Sequence, residues 1–261
     1  MSRVHAVIEW NVRFLSPPFI GAGPTTADAD RATVRDAAGN PIIPGSSVKG
    51  RLRHHCERIA RALKVACCEG PQADMTCPNY YFRSSEKGPD LVASHEHPFC
   101  PVCLIFGSPW LPSPLHFSDW HCEMEDELDK DTWEALEKTA LRTGIGMNRY
   151  TRTVQEGRLF VTRTVAPALP AVFKGRAQGF LPAALGLEAL LHAGVLDVCR
   201  VGGGNSRGLG WIDRANGSAP TVSVGEKGAE QQMDRDALRA GLEKLQEVFG
   251  TQNSSDGGDA E

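Results

Sequence analysis

The sequence predicts an α+β fold with a ferredoxin-like βαββαβ core, a cysteine-rich insertion and a projecting β-hairpin. Three observations carry this. Val4, Ala6, Ile8, Trp10, Val12 and Phe14 alternate with mostly polar neighbours, the period of a half-buried strand. Two helical segments, residues 46–66 and 182–198, are separated by strand-like and irregular stretches. Residues 143–165 alternate polar and apolar side chains around Gln155-Glu156-Gly157, the pattern of a hairpin arm.

After the first strand, residues 16–44 are rich in Pro, Gly, Thr and Asp and form a long loop. The helix that follows starts at Pro44-Gly45. Its first turns hold Ser46 and Ser47 as caps and Lys49, Arg51 and Arg53 as cations. A helix start offers unpaired N–H groups and the positive dipole end, so this segment reads as a phosphate seat. Residues 67–106 are irregular, rich in Cys, His and Pro, and too poor in apolar residues to order themselves.

Residues 115–122 return to a strand, and 123–140 read as a charged amphipathic helix with Leu128, Trp133, Leu136 and Leu141 as its apolar contacts. The second helix is apolar nearly all round through Leu185, Leu187, Leu190, Leu191, Val195 and Leu196. Gly202 to Gly210 then form a loop in which bare backbone can approach a ligand, with Arg207 inside it, and residues 209–212 make a short closing strand. This order is that of a ferredoxin-like or RNA-recognition-type core. Residues 1–224 form one domain, and residues 225–261 add an amphipathic helix at 233–249 and a polar, disordered tail.

At 261 residues and 41% hydrophobic content the chain can bury a sizeable core. It has no apolar run of the roughly 20 residues a membrane span requires and no secretory signal pattern, which points to the cytoplasm. A formal net charge of −4 argues against a surface basic all over. The charge is segregated: cations gather in the first helix and again at Arg142, Arg149, Arg152, Arg158, Arg163, Lys174 and Arg176, a pattern suited to local contact with RNA backbone.

Cys100-Pro101-Val102-Cys103 has the spacing by which two thiolates bind one ion. A structural Zn2+ is the favoured reading, held by Cys77, His95, Cys100 and Cys103, with His97, Cys67 or Cys68 as substitutes. No thioredoxin-like pattern surrounds the motif, which disfavours a redox disulfide. Cys56, Cys122 and Cys199 read as small hydrophobes.

Four motifs together resemble the repeat-associated mysterious protein (RAMP) superfamily, specifically the backbone subunit of type III CRISPR effector complexes. They are Asp36-Ala37-Ala38-Gly39-Asn40 through Arg53, Cys100-Pro101-Val102-Cys103-Leu104-Ile105-Phe106-Gly107, Arg142-Thr143-Gly144-Ile145-Gly146-Met147-Asn148-Arg149, and Gly202 to Gly210. The resemblance implies a subunit that stacks with copies of itself and other subunits along a guide crRNA and pairs the guide with target RNA. It implies a thumb hairpin at 143–165, with Met147 at its base as a wedge between bases. Ser46, Ser47, Lys49, Arg51, Arg53, Met147, Arg149, Gly203, Gly204, Asn205, Ser206 and Arg207 are the implied RNA contacts. Target cleavage, with a divalent metal such as Mg2+, falls to Asp30, with Asp28 as the alternative.

Three other functions compete with a target-cleaving subunit. One is a non-catalytic backbone subunit. Another is a guide-processing endoribonuclease with His54 or His55 as general base, both expected on a face open to solvent or RNA. The third is a zinc-stabilised interaction protein without salt-dependent RNA affinity.

Overall fold

Strand β1 (Arg3–Val12) turns Ala6, Ile8, Trp10 and Val12 inward and leaves Glu9 and Asn11 exposed, as alternation requires. The computed structural model describes residues 2–23, 29–70, 72–79, 99–125, 129–166, 171–215 and 220–250. β1 lies mid-sheet, antiparallel to β8 (Ala171–Pro182) on one side and to β9 (Thr221–Gly225) on the other. The remaining members are β3 (Ile42–Ile43), β4 (Leu115–Phe117), β5 (Trp120–Met124) and β10 (Gln231–Gln232). They complete a seven-stranded sheet of order β10-β9-β1-β8-β5-β3, with β4 also pairing to β8.

β8 is the strand that sequence patterning does not reveal. Its centre reads Lys174-Gly175-Arg176-Ala177-Gln178-Gly179, and glycines ordinarily weaken a strand. Here they make room. A Cβ on Gly175 would sit 1.9 Å from Cδ1 of the buried Trp120, and one on Gly179 would sit 1.9 Å from the Pro114 carbonyl oxygen. The closing strand is likewise β9. Residues 209–212, expected in that role, form only isolated bridges, Arg200 to Trp211 and Phe14 to Ile212.

Helix α1 (Gly45–Ala62) buries Val48, Leu52, Cys56 and Ala60 at helical spacing. It packs against α4 (Leu187–Asp197), whose Leu187, Leu190, Leu191 and Val195 are buried while Leu196 is 41% exposed. Along the chain the sheet and these helices run β1-α1-β5-β8-α4-β9, and in space those four strands lie β9-β1-β8-β5. Helix α5 (Arg235–Phe249), capped by the Asp234 carboxylate on the Ala237 amide, inserts Leu245 and Phe249 into the same core. Residues 251–261 lie outside the described residues.

A second sheet stands apart. β6 (Thr139–Met147) and β7 (Val154–Val165) form an antiparallel hairpin, and β2 (Arg31–Ala32) joins β7 in parallel. The hairpin turns at residues 148–153, where Asn148 Oδ1 accepts the amides of Tyr150 and Thr151. Gln155-Glu156-Gly157 is a bulge and not the turn: pairing steps from Ile145 with Leu159 to Met147 with Val154, leaving three extra residues on β7.

The expected helix at 123–140 is also corrected. β5 runs to Met124, α3 spans only Lys130–Ala135, and Leu141 is a half-exposed strand residue of β6. Asp129 caps α3 by accepting the Thr132 amide, and Leu136 ends it in extended conformation. Leu128 lies outside the described residues.

Candidate nucleic-acid interface and metal centre

Four buried sulfurs, those of Cys68, Cys77, Cys100 and Cys103, lie within 4.8 Å of one another. Cys68 completes the set. His95 and His97 lie outside the described residues, and half-buried Cys67 instead points its thiol at the Cys68 carbonyl. Cys100 N-caps α2 (Pro101–Phe106), which places Cys103 one turn on with its amide donating to Cys100 Sγ at 3.4 Å. The Cys100 amide donates to Cys77 Sγ at 3.3 Å.

The sulfur separations of 3.5 Å for Cys68 to Cys103 and 3.7 Å for Cys68 to Cys100 are close to the edge of a Zn2+ tetrathiolate. That edge is about 3.8 Å for Zn–S bonds of about 2.3 Å. The residues therefore fit a closed structural zinc site, which would tie Cys68 and Cys77 to α2, whose Val102, Ile105 and Phe106 are themselves buried in the core. Crowding raises the Cys77 and Cys103 thiols, first through their hydrogen bonds with Cys100, and a dication reverses this.

The start of α1 is occupied by the protein itself. Its cap residue is Pro44, neither Ser46 nor Ser47 caps by side chain, and the Gly45 amide donates to Asp119 Oδ1 at 2.7 Å. That carboxylate, from the β4–β5 turn, stands where a phosphate was expected. Arg53 also turns inward. It pairs with Glu57 at 2.9 Å, donates to the Gly107 carbonyl at 2.8 Å and to Cys103 Sγ at 3.5 Å, so it braces the cysteine cluster. Arg51 donates to the Arg200 carbonyl at 3.1 Å, joining α1 to the root of the glycine-rich loop. Half-buried Lys49 lines a groove of about 650 Å³ with exposed His54, and its pKa is lowered by burial and then by Arg53.

His55 is buried, against the expectation of an outward face. Its Nδ1 lies 2.6 Å from Asp197 Oδ2, an oxygen that also receives Arg58. This pairing removes His55 from the surface.

The glycine-rich loop folds back on its own base and on the segment after β1. Gly210 is left-handed at φ 73°, and a Cβ on it would meet the Val201 carbonyl oxygen at 2.0 Å. The Gly203 amide donates to the Phe19 carbonyl and the Gly210 amide to that of Pro17. The stretch left facing outward includes Gly204, Ser206 and Arg207, while Asn205 Oδ1 is buried without a hydrogen bond.

These residues meet the hairpin across a groove of about 540 Å³, lined also by Phe19, Arg31, Arg142, Gly144, Phe160 and Thr162. Sequence reading did not single out Arg31 or Phe160. The Arg207 guanidinium lies 5.3 Å over the Phe160 ring, which orients the cation without neutralising it. Asp30 sits exposed at the start of β2, its Oδ2 accepting the Val161 amide of β7 at 2.7 Å. Asp28 lies outside the described residues. Met147 is 51% exposed at the tip end of the hairpin and not at its base, followed by exposed Arg149 in the turn.

An antiparallel sheet backed by helices, a cluster of four buried cysteines and an arginine-lined groove beside a glycine-rich loop define a class: an α+β module with a cationic groove. The family follows. The RAMP superfamily matches residues 11–213, and the chain belongs to it. Membership makes it a CRISPR-associated RNA-binding subunit, in a superfamily that includes endoribonucleases. No curated protein matches the chain. Among the described residues, no helix is long and apolar enough to cross a membrane.

Proposed function

We propose that this chain is a guide-binding backbone subunit of a type III CRISPR effector complex that cuts guide-paired target RNA. In this reading β1-α1-β5-β8-α4-β9 is the ferredoxin-like core, residues 67–106 the zinc-binding insertion and the β6–β7 hairpin the thumb, all in a cytoplasmic ribonucleoprotein. The observation that carries it is the groove between hairpin and glycine-rich loop, where Arg31, Arg142 and Arg207 converge and Asp30 stands at the hairpin's side.

Guide phosphates lie along Ser46, Ser47, Lys49 and Arg51 and along Gly204 to Arg207, while Met147 and Arg149 reach between bases from the hairpin tip. Arg53 acts from behind, by fixing the metal centre. The Asp30 carboxylate accepts the proton of a ribose 2′-hydroxyl as that oxygen attacks the adjacent phosphate; the bond to the 5′-oxygen of the next nucleotide breaks, leaving a 2′,3′-cyclic phosphate and a 5′-hydroxyl protonated from water, and the guanidiniums stabilise the charge that develops. If Mg2+ takes part, Asp30 would be the protein's one carboxylate for it, and the ion would supply charge neutralisation at the phosphate.

A second reading, a backbone subunit that does not cut, is favoured by the Asp30–Val161 hydrogen bond, which gives the carboxylate a structural task. The deciding experiment is cleavage of guide-complementary RNA by the assembled complex, wild type beside Asp30→Ala, with and without magnesium. Regularly spaced cuts that vanish in the variant, with RNA binding retained, support the nuclease. Binding without cuts in either protein replaces it with the non-cutting subunit.

A further inference from the structure

We infer that Arg51, Arg200 and Trp211 form a phosphodiester subsite for single-stranded RNA at the foot of the glycine-rich loop. The inference rests on the RNA-binding reading above and adds to it two residues outside the motifs' expected contacts.

Arg200 and Trp211 face each other across an isolated antiparallel bridge that closes the loop's base. The Arg200 guanidinium lies 4.6 Å over the Trp211 ring, which holds its plane while leaving its edge N–H groups to point elsewhere. Arg51 reaches the same place from α1, its Nε donating to the Arg200 carbonyl. Arg51 is thus tied to the Arg200 backbone, near enough for the Arg200 charge to act on it.

Among the described residues neither has an acidic partner. Asp197, the carboxylate at the end of α4, is taken by Arg58 and His55. Arg200 Nε is buried with no hydrogen bond. Arg51 is pushed down by burial, then by the charges of Arg200 and Arg58, with only the Cys199 thiol acting in the opposite sense. Uncompensated, partly desolvated cations cost free energy that an incoming anion recovers, and a forked pair suits phosphate oxygens. Beside them Trp211 is 40% exposed and Leu15, whose amide donates to the Trp211 carbonyl, is 68% exposed. This apolar shelf suits the sugar or base next to the bound phosphate.

The test titrates the full-length protein with fluorescently labelled single-stranded RNA over a salt series. Arg200→Gln should weaken binding about 3- to 10-fold and flatten the salt slope by about 0.7, the release expected for one single-strand contact. Arg200→Lys should recover part of the loss. The emission difference between wild type and Trp211→Phe should be quenched on adding RNA, which keeps the question answerable if Arg200→Gln lowers thermal stability.

Wild-type affinity and slope in Arg200→Gln, with Arg207→Gln still weakened, would overturn the subsite and leave RNA binding standing. An unchanged Trp211 emission would overturn it too. Absence of salt-dependent binding by the wild type would remove both.

Discussion

Arg53 of α1 and the cations around the hairpin groove share a chemistry and differ in employment. Arg53 is spent on Glu57, the Gly107 carbonyl and Cys103, and the Gly45 amide is spent on Asp119. Arg207, Arg142 and Arg31 instead line an open groove, with Arg207 oriented by the Phe160 ring. A basic residue in a motif is therefore not yet a ligand contact: what its donors already hold decides whether it supports the fold or meets the RNA.

The largest test breaks the inward-facing half. Cys77→Ser, or chelation of the full chain, should release one zinc and cost on the order of 5 kcal/mol or more of stability. Metal analysis and thermal unfolding check it, and a variant that melts like wild type would detach α1 from the metal centre. Next comes Arg53→Ala. Losing charge-assisted bonds to partly buried partners should cost about 1.5–3 kcal/mol, read as a lowered denaturant midpoint. A pure loss of RNA affinity at unchanged midpoint would move Arg53 into the outward class.

Arg207→Gln sharpens the other half. RNA affinity should fall about 3- to 10-fold with stability within about 0.5 kcal/mol, because a surface guanidinium over one ring contributes little to folding. Anisotropy and a melt on the same sample check it.

The smallest effect is of pH. Burial lowers the pKa of both His55 and His192, so the unfolded chain binds more protons than the native one just below their ordinary value of 6.5. Stability present above that value is lost as pH falls through the lowered ones, and the melting temperature should decline between about pH 7 and 5. His192→Gln should flatten the decline, and a melting temperature that rises on acidification would refute the sign.

Sequence alternation exposed β1, and apolar coverage exposed α4, because those signals are local. β8 stayed hidden because its glycines answer to Trp120 and Pro114, partners more than fifty residues away. Gly157 marked an irregularity in the hairpin but could not tell a bulge from a turn, since both tolerate a left-handed residue. The Cys100–Cys103 pair was legible from its spacing, whereas the choice among Cys67, Cys68 and the histidines depended on how the chain returns past α1. The occupant of the α1 start was invisible for the same reason, Asp119 being 74 residues from Gly45.

The β2–β7 pairing has a mechanical consequence. Asp30 is tied to Val161, and its neighbours Arg31 and Ala32 run alongside Thr162 and Arg163, so this short segment is fastened to the hairpin just before Val34, whose carbonyl accepts the Ile42 amide of the seven-stranded sheet. If the arm swings, the carboxylate travels with it as cargo. Its distance to Met147 at the arm's tip is then held constant like a gauge, and a single lever would set both where a strand is prised open and where the carboxylate is brought to bear.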